Sequence, residues 1–194
     1  MPNWCSNELT VSGTEQDVAA FVGKATTGSG SLSLECVRPT PDFEGADDDS
    51  SMPNWYRWRV ANWGTKWDIS DDDEPVIADE SEGCRVWRFL SAWSPPVAAV
   101  GFAAAEHPRL RFDLKYDEPG NNFAGETVWA GGEVVEDWES ESVSTVWCAV
   151  RGCDGYAGSC DPFSSDRENV VAFCEDHAFE EMVCCADDDA GEDS

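Results

Sequence analysis

Basic side chains are scarce in this chain. Its 194 residues hold 12 Lys and Arg against 40 Asp and Glu, for a formal net charge of −28. The lysines are Lys24, Lys66 and Lys115 alone. That deficit argues against direct binding to a phosphate backbone, which needs clustered Lys and Arg. No run of 18 or more apolar residues is present, so no membrane-spanning helix is expected. The N-terminus lacks the basic-then-apolar pattern of a secretory signal. The expected compartment is therefore cytoplasmic, where thiols stay reduced, and the nine cysteines point to metal ligands and buried thiols before disulfides. A Gly-rich phosphate loop is also missing, because Gly28-Ser29-Gly30 is not followed by Gly-Lys-Ser/Thr. There are two histidines, neither in a nucleophile elbow. His107, just ahead of Pro108, reads as a partner for a helix C-terminus rather than as a base. Cys5, Cys36 and Cys84 fall on expected strands and read as buried small hydrophobes.

The acids are spread along the chain: residues 1–143 carry a net −17 and residues 144–194 a net −11. A uniform acidic coat with almost no Lys matches proteins of salt-in halophiles, where high ionic strength screens the self-repulsion of the compact state. The competing reading is an acidic mimic of DNA that blocks a DNA-binding protein, which requires carboxylates in phosphate-like rows.

Against these deficits stands an excess of tryptophan, ten residues, several of them inside short motifs. These are Pro2-Asn3-Trp4-Cys5-Ser6-Asn7, Asn62-Trp63-Gly64-Thr65-Lys66-Trp67-Asp68 and Ala92-Trp93-Ser94-Pro95-Pro96. Each Trp ring is large and its N–H needs a partner, so dense use at loop and strand edges builds either a core rim or a binding surface. Alternation of Cys5, Asn7, Leu9 and Val11 gives a strand over Trp4–Val11. Thr14 with Asp17 three residues on reads as a capping-box variant opening a helix over about Glu15–Lys24. A short extended stretch follows over Leu32–Val37, then an acidic loop over Glu44–Ser51. Trp55–Trp63 is expected as a short helix. A second acidic loop spans Ser70–Glu82 and leads into a strand over Cys84–Ala92. A further helix starts at Pro95-Pro96 and ends at Glu106. Leu110–Tyr116 alternates cleanly as a strand. After a Gly/Asn turn at Pro119–Asn122, a last pair of strands covers Ala124–Trp138, broken at Gly131-Gly132. Together these elements give an α+β fold: a ferredoxin-like open antiparallel sheet with two helices on one face and an extra edge strand.

The ordered motifs PNWCSNELTVSG, NWGTKWD, AWSPP and YDEPGNNFAG closely resemble the YubB ferredoxin-like family, over about residues 1–137. The resemblance implies a small accessory protein of a phage, provirus or plasmid, here in a halophilic host. It brings no catalytic residues and no iron–sulfur cluster. The acidic insertions and everything after Ser140 depart from the family pattern.

That remainder contains a metal-ligand pattern: Cys148-x4-Cys153, twenty intervening residues, then Cys174-x2-His177. Two ligand pairs on two turns supply the four corners of a structural zinc site, of the zinc-ribbon or treble-clef kind. About 40 residues have too little core to fold alone, and a metal makes up that stability. Filled by four protein ligands, the site is structural rather than catalytic. Unmetallated thiols are the simpler alternative, the vicinal Cys184-Cys185 pair offers a redox role, and Cys160 is a substitute ligand. The expected domains are 1–140, 145–186 and an acidic disordered tail at 187–194.

The central motif has two readings. In one, Trp63 and Trp67 cap the sheet, Gly64 turns the chain and Lys66 covers a ring with its stem. In the other, Asn62, Trp63, Lys66, Trp67 and Asp68, beside Trp93 and Glu118, form a small site for a base or nucleotide by stacking and cation contacts. Asp68 and Glu118 are expected to orient Lys66 in both. The expected function is non-enzymatic: binding of a host protein or of a small nucleotide-like ligand. A nucleotide-acting enzyme at Asn62–Asp68 and the DNA mimic are the alternatives.

Overall fold

The structure, a computed structural model, describes residues 3–28, 30–43, 52–69 and 77–142. The chain divides into two compact units, Met1–Ser140 and Glu141–Ser194, and all the elements below belong to the first. In chain order they are β1 (Trp4–Ser12), α1 (Glu15–Ala25), α2 (Leu34–Val37), α3 (Asn54–Trp63), β2 (Ile77–Ser81), β3 (Cys84–Ala92), α4 (Val97–Glu106), β4 (Arg111–Glu118), β5 (Phe123–Ala130) and β6 (Glu133–Ser140).

The sheet runs β2-β3-β1-β4-β5-β6, with every neighbouring pair antiparallel. The helical connection from β1 to β2 skips over β3, and that from β3 to β4 skips over β1. This split β-α-β arrangement is the ferredoxin-like fold, and the β5–β6 hairpin extends it on the β4 side. Gly131 and Gly132 close that hairpin with φ of 66° and 85°, the pair of positive values that a two-residue turn of matching twist requires.

Period-2 patterning sets the two faces. Cys5, Asn7, Leu9 and Val11 of β1 are buried, while Ser6, Glu8 and Thr10 between them are only partly covered. Register brings Leu9 opposite both Trp87 and Leu114, and Val11 opposite Phe112. Phe21 from α1 meets Trp87 and Phe112 edge-on, with ring centres 6.1 and 5.1 Å apart. Each such buried ring or Leu contributes roughly 1.5–3 kcal/mol of transfer free energy. Small residues on α4 (Ala99, Ala103, Ala104) are buried against the same core. Thr14 caps α1: its hydroxyl accepts from the Asp17 N–H at 3.2 Å and donates to the Asp17 carboxylate at 2.8 Å. The box is thus closed through the hydroxyl.

Two expectations are corrected. Leu32–Val37 is not a strand: Leu32 makes a single bridge to Thr26, and Leu34–Val37 is a helical turn. The Ser33 hydroxyl accepts from the Cys36 N–H, and Asp68 accepts from the Leu34 N–H, so caps outweigh the extended preference of this apolar run. Cys36 consequently lies exposed. The strand position it vacates is taken by β2, inside the segment read as an acidic loop. Backbone pairing to β3 through the two-residue Glu82-Gly83 turn, with Gly83 at φ 69°, holds β2 regardless of its acidic side chains. Three helices are expected, two of them set on one face of the sheet, and among the described residues α2 is a fourth.

Candidate functional site

The four sequence motifs meet at one end of the sheet. The Trp93 N–H, just past β3, donates to the Asn3 carbonyl at 3.0 Å. The Thr65 hydroxyl donates to the Ala92 carbonyl at 2.8 Å, and the Ser94 hydroxyl to the Gly64 carbonyl at 2.5 Å. Gly64 ends α3 at φ 90°, and a Cβ there would lie 2.8 Å from the Pro95 carbonyl oxygen. Gly120, in the β4–β5 turn, is equally confined: its Cβ would lie 2.5 Å from Asn3 Nδ2 and 2.8 Å from Glu118 Oε1. The start of β1 and three loops are thereby tied together.

Beneath them lies a buried polar layer. Asn7 Nδ2 donates to the Cys5 carbonyl and to Ser91 Oγ, both at 2.8 Å, and the Ser91 hydroxyl passes on to the Ser94 carbonyl at 2.7 Å. Burial, with a further contribution from the Glu118 charge, pushes the Cys5 thiol up to about 12. Cys5 is therefore a packed thiol and not a nucleophile at neutral pH.

The expected site residues divide by role. Trp63 is fully buried, and its indole N–H donates to the Arg38 carbonyl at 2.8 Å, so its faces are closed to a ligand. Asn62 Nδ2 donates to the Trp58 carbonyl at 2.8 Å, and the Asn62 carbonyl accepts from Arg38. Asp68 accepts from Ser33, Leu34, Glu35 and Ile69. Glu118, 1% exposed, accepts from the Gly120 and Asn121 N–H groups at 3.0 and 2.6 Å. Neither carboxylate forms an ion pair with Lys66 among the described residues, which corrects the expectation that they orient it. Both are drawn away by backbone N–H groups that would otherwise be unsatisfied.

Lys66, Trp67 and Trp93 remain at the surface. Lys66 Nζ lies 4.5 Å from the centre of the Trp67 ring and 5.5 Å from that of Tyr56. Trp67 meets Trp4 at 6.2 Å with a 44° tilt, and Tyr56 meets Trp55 edge-on at 5.9 Å. A string of rings thus runs Trp55, Tyr56, Trp67, Trp4, with the Lys66 ammonium between the middle pair. Trp93, whose N–H donates to the Asn3 carbonyl next to Trp4, is 44% exposed and at φ 72°, a backbone region that a bulky residue rarely adopts. Trp55, Tyr56 and Trp4 were not among the expected site residues. One signal did mark Trp55 and Tyr56: residues 52–67 contain five aromatics and three bases and not one Asp or Glu.

Among the described residues, the exposed rings of Trp4, Trp67 and Trp93 give this end of the sheet an open aromatic face. An apolar void lies elsewhere, in the core between Leu9, Phe21, Leu34, Val100 and Phe112. A shallow groove borders Asp17, Glu106, His107 and Arg109. There the His107 ring packs edge-on against Phe21 at 5.3 Å, and burial first, then the Lys24 charge, lowers its pKa. It ends α4 packed edge-on against a core ring, with its own backbone N–H donating to the Ala103 and Ala104 carbonyls. Among the described residues no group of three or more His, Cys, Asp or Glu is placed to hold a metal ion. The expected zinc ligands Cys148, Cys153, Cys174 and His177 lie outside the described residues. Among the described residues no helix is long and apolar enough to cross a membrane.

Residues 62–147 match the family model described as a ferredoxin-like domain in Api92-like protein, a stretch that takes in NWGTKWD, AWSPP and YDEPGNNFAG. The matched family carries the Api92-like name and not the YubB one. A crystal structure of a protein api92 from Yersinia pseudotuberculosis superposes with a TM-score of 0.50 at 11% identity, covering 73% of this chain and 99% of that one. At that identity the likeness speaks for the fold alone. No curated protein matches the sequence.

Proposed function

We propose that the chain, whose residues 62–147 match the ferredoxin-like domain model of Api92-like protein, is a non-enzymatic accessory protein that acts by binding. Its recognition face is the aromatic end of the sheet, and the partner on the Trp93 and Trp4 side is a host protein. One observation carries this reading. Trp93 is held at φ 72° with 44% of its surface exposed. Such a backbone costs on the order of 1–3 kcal/mol, while a ring left so open recovers little of it by burial. Strain kept at an exposed aromatic fits selection for contact with something outside the fold. Exposed Trp4 and Trp67 beside it add the residue type that dominates protein interfaces.

The motif resemblance to the YubB family supports a phage, provirus or plasmid origin, and the charge of −28 supports a halophilic host. The Cys148, Cys153, Cys174 and His177 spacing supports a structural zinc ion, for which metal analysis is expected to find about one zinc per chain, lost in Cys148→Ser.

Affinity capture from halophile extract in molar KCl tests the face. The wild-type chain is expected to retain a partner that the Trp67→Ala/Trp93→Ala variant loses. A Val134→Ser/Val135→Ser variant, altered at the exposed valines of β6, is expected to retain it. Loss in the β6 variant with retention in the tryptophan variant contradicts the assignment.

A further inference from the structure

We infer that the Tyr56–Lys66–Trp67 part of this face binds a nucleotide, stacking its base on the ring string and setting its phosphate against Lys66. The inference rests on the reading that the sheet end is a recognition face, and it assigns a ligand class to the side away from Trp93.

The composition of the segment is the first observation. In a chain where acids outnumber bases 40 to 12, residues 52–67 carry Arg57, Arg59 and Lys66 with no acid at all. The placement of Lys66 is the second. Its ammonium lies over two rings, 4.5 Å from the Trp67 centre and 5.5 Å from that of Tyr56, with no carboxylate partner among the described residues. The motif acids Asp68 and Glu118 are committed to backbone N–H groups. A cation resting on one exposed ring, Trp67, and one partly covered ring, Tyr56, is held weakly, so an incoming phosphate recruits it at little loss. The third observation is the spacing of the rings. Trp67 and Trp4 lie 6.2 Å apart at a 44° tilt and Tyr56 meets Trp55 edge-on at 5.9 Å, so the rings offer separate π faces on either side of one cation. Stacking platforms for single-stranded nucleic acid combine these parts, and stacking tolerates any base. With one or two cations engaged rather than a basic groove, stacking carries the binding. The ligand therefore survives the salt that would dissolve a phosphate-led complex, which reconciles nucleotide binding with an acidic chain.

The chemistry is shared by a free nucleotide and by a single strand, and titration distinguishes them. Tryptophan fluorescence is followed while adenosine, AMP and an oligo-dA strand are added in molar KCl. Saturable quenching is expected with AMP, and it is expected to weaken about tenfold in Trp67→Ala. Preference for AMP over adenosine is expected to vanish in Lys66→Met and to return in Lys66→Arg. Affinity for oligo-dA about tenfold above that for AMP assigns the single strand, and equal affinity assigns the free nucleotide. The salt dependence for oligo-dA is expected to have a log–log slope near about −1. Trp138→Phe, on β6, serves as the control and is expected to bind as wild type. Absence of quenching by all three probes overturns the nucleotide assignment, as does identical affinity in Trp67→Ala. If Trp67→Ala/Trp93→Ala still abolishes protein capture in that event, the recognition face stands and only its ligand class falls.

Discussion

The Asp68 carboxylate accepts from the Ser33 hydroxyl at 2.8 Å and from the Leu34 N–H at 2.6 Å, which fastens the loop after α3 to the first turn of α2. A residue that reads in the motif as part of a ligand site is thus a cap for a neighbouring helix. Replacing it removes the acceptor shared by Ser33, Leu34, Glu35 and Ile69 in a half-covered position. Asp68→Ala is expected to destabilise the domain by about 1–2 kcal/mol. Urea denaturation measures this, and an unchanged midpoint contradicts the capping role.

Trp93 allows strain to be separated from packing. Both Trp93→Ala and Trp93→Gly delete the ring, but only Gly relaxes the backbone at φ 72°. The left-handed region costs an L-residue roughly 1–2 kcal/mol, offset in part by the greater freedom of Gly in the unfolded chain. Trp93→Gly is expected to melt above Trp93→Ala in calorimetry, by roughly 0.5–1 kcal/mol. Equal or reversed stabilities remove the argument from strain.

On the other face of β4, Asp113 is pushed up from 3.8 to about 6, by burial first and then by its hydrogen bond to Glu126 and the Glu126 charge, against smaller opposing effects of Lys115 and Arg111. The folded state therefore holds this proton more tightly than the unfolded chain does. Stability relative to acid conditions falls as pH rises from about 4 to about 6. Above that window the ionised Asp113 is a persistent liability beside Glu126. Asp113→Asn is expected to raise the melting temperature above that of wild type at pH 8 and to lose this advantage at pH 4. A difference independent of pH contradicts the assignment.

Much of the sheet is legible in the sequence because it depends on local pattern. Alternation gives β1 and β4, Cys84–Ala92 reads as the strand β3, and Gly131-Gly132 marks the final hairpin. The failures share a physical cause. Leu34–Val37 is turned helical by Asp68, 34 residues away in the chain from Leu34. The β2 strand is held by backbone pairing with β3 through Gly83, and neither contact is written in local hydropathy. At the candidate site the motifs mark the right end of the sheet, but spacing alone does not divide structural from exposed members. Trp63 and Trp67 look alike in NWGTKWD, yet one is sealed in the core and the other is 37% exposed. Tyr56 is missed because α3 shows no clean apolar stripe, and only the missing acids of residues 52–67 set it apart.

The central claim is that the aromatic end of the sheet is where this protein meets its partner. Hydroxyl-radical footprinting tests it most directly, by comparing the chain in halophile extract with the chain in buffer of the same salt. Protection is expected to centre on Trp4, Trp67 and Trp93, with Val134, Val135 and Arg109 as reactive as in buffer. Protection of β6 or of the Arg109 groove, with those three tryptophans unchanged, would contradict it.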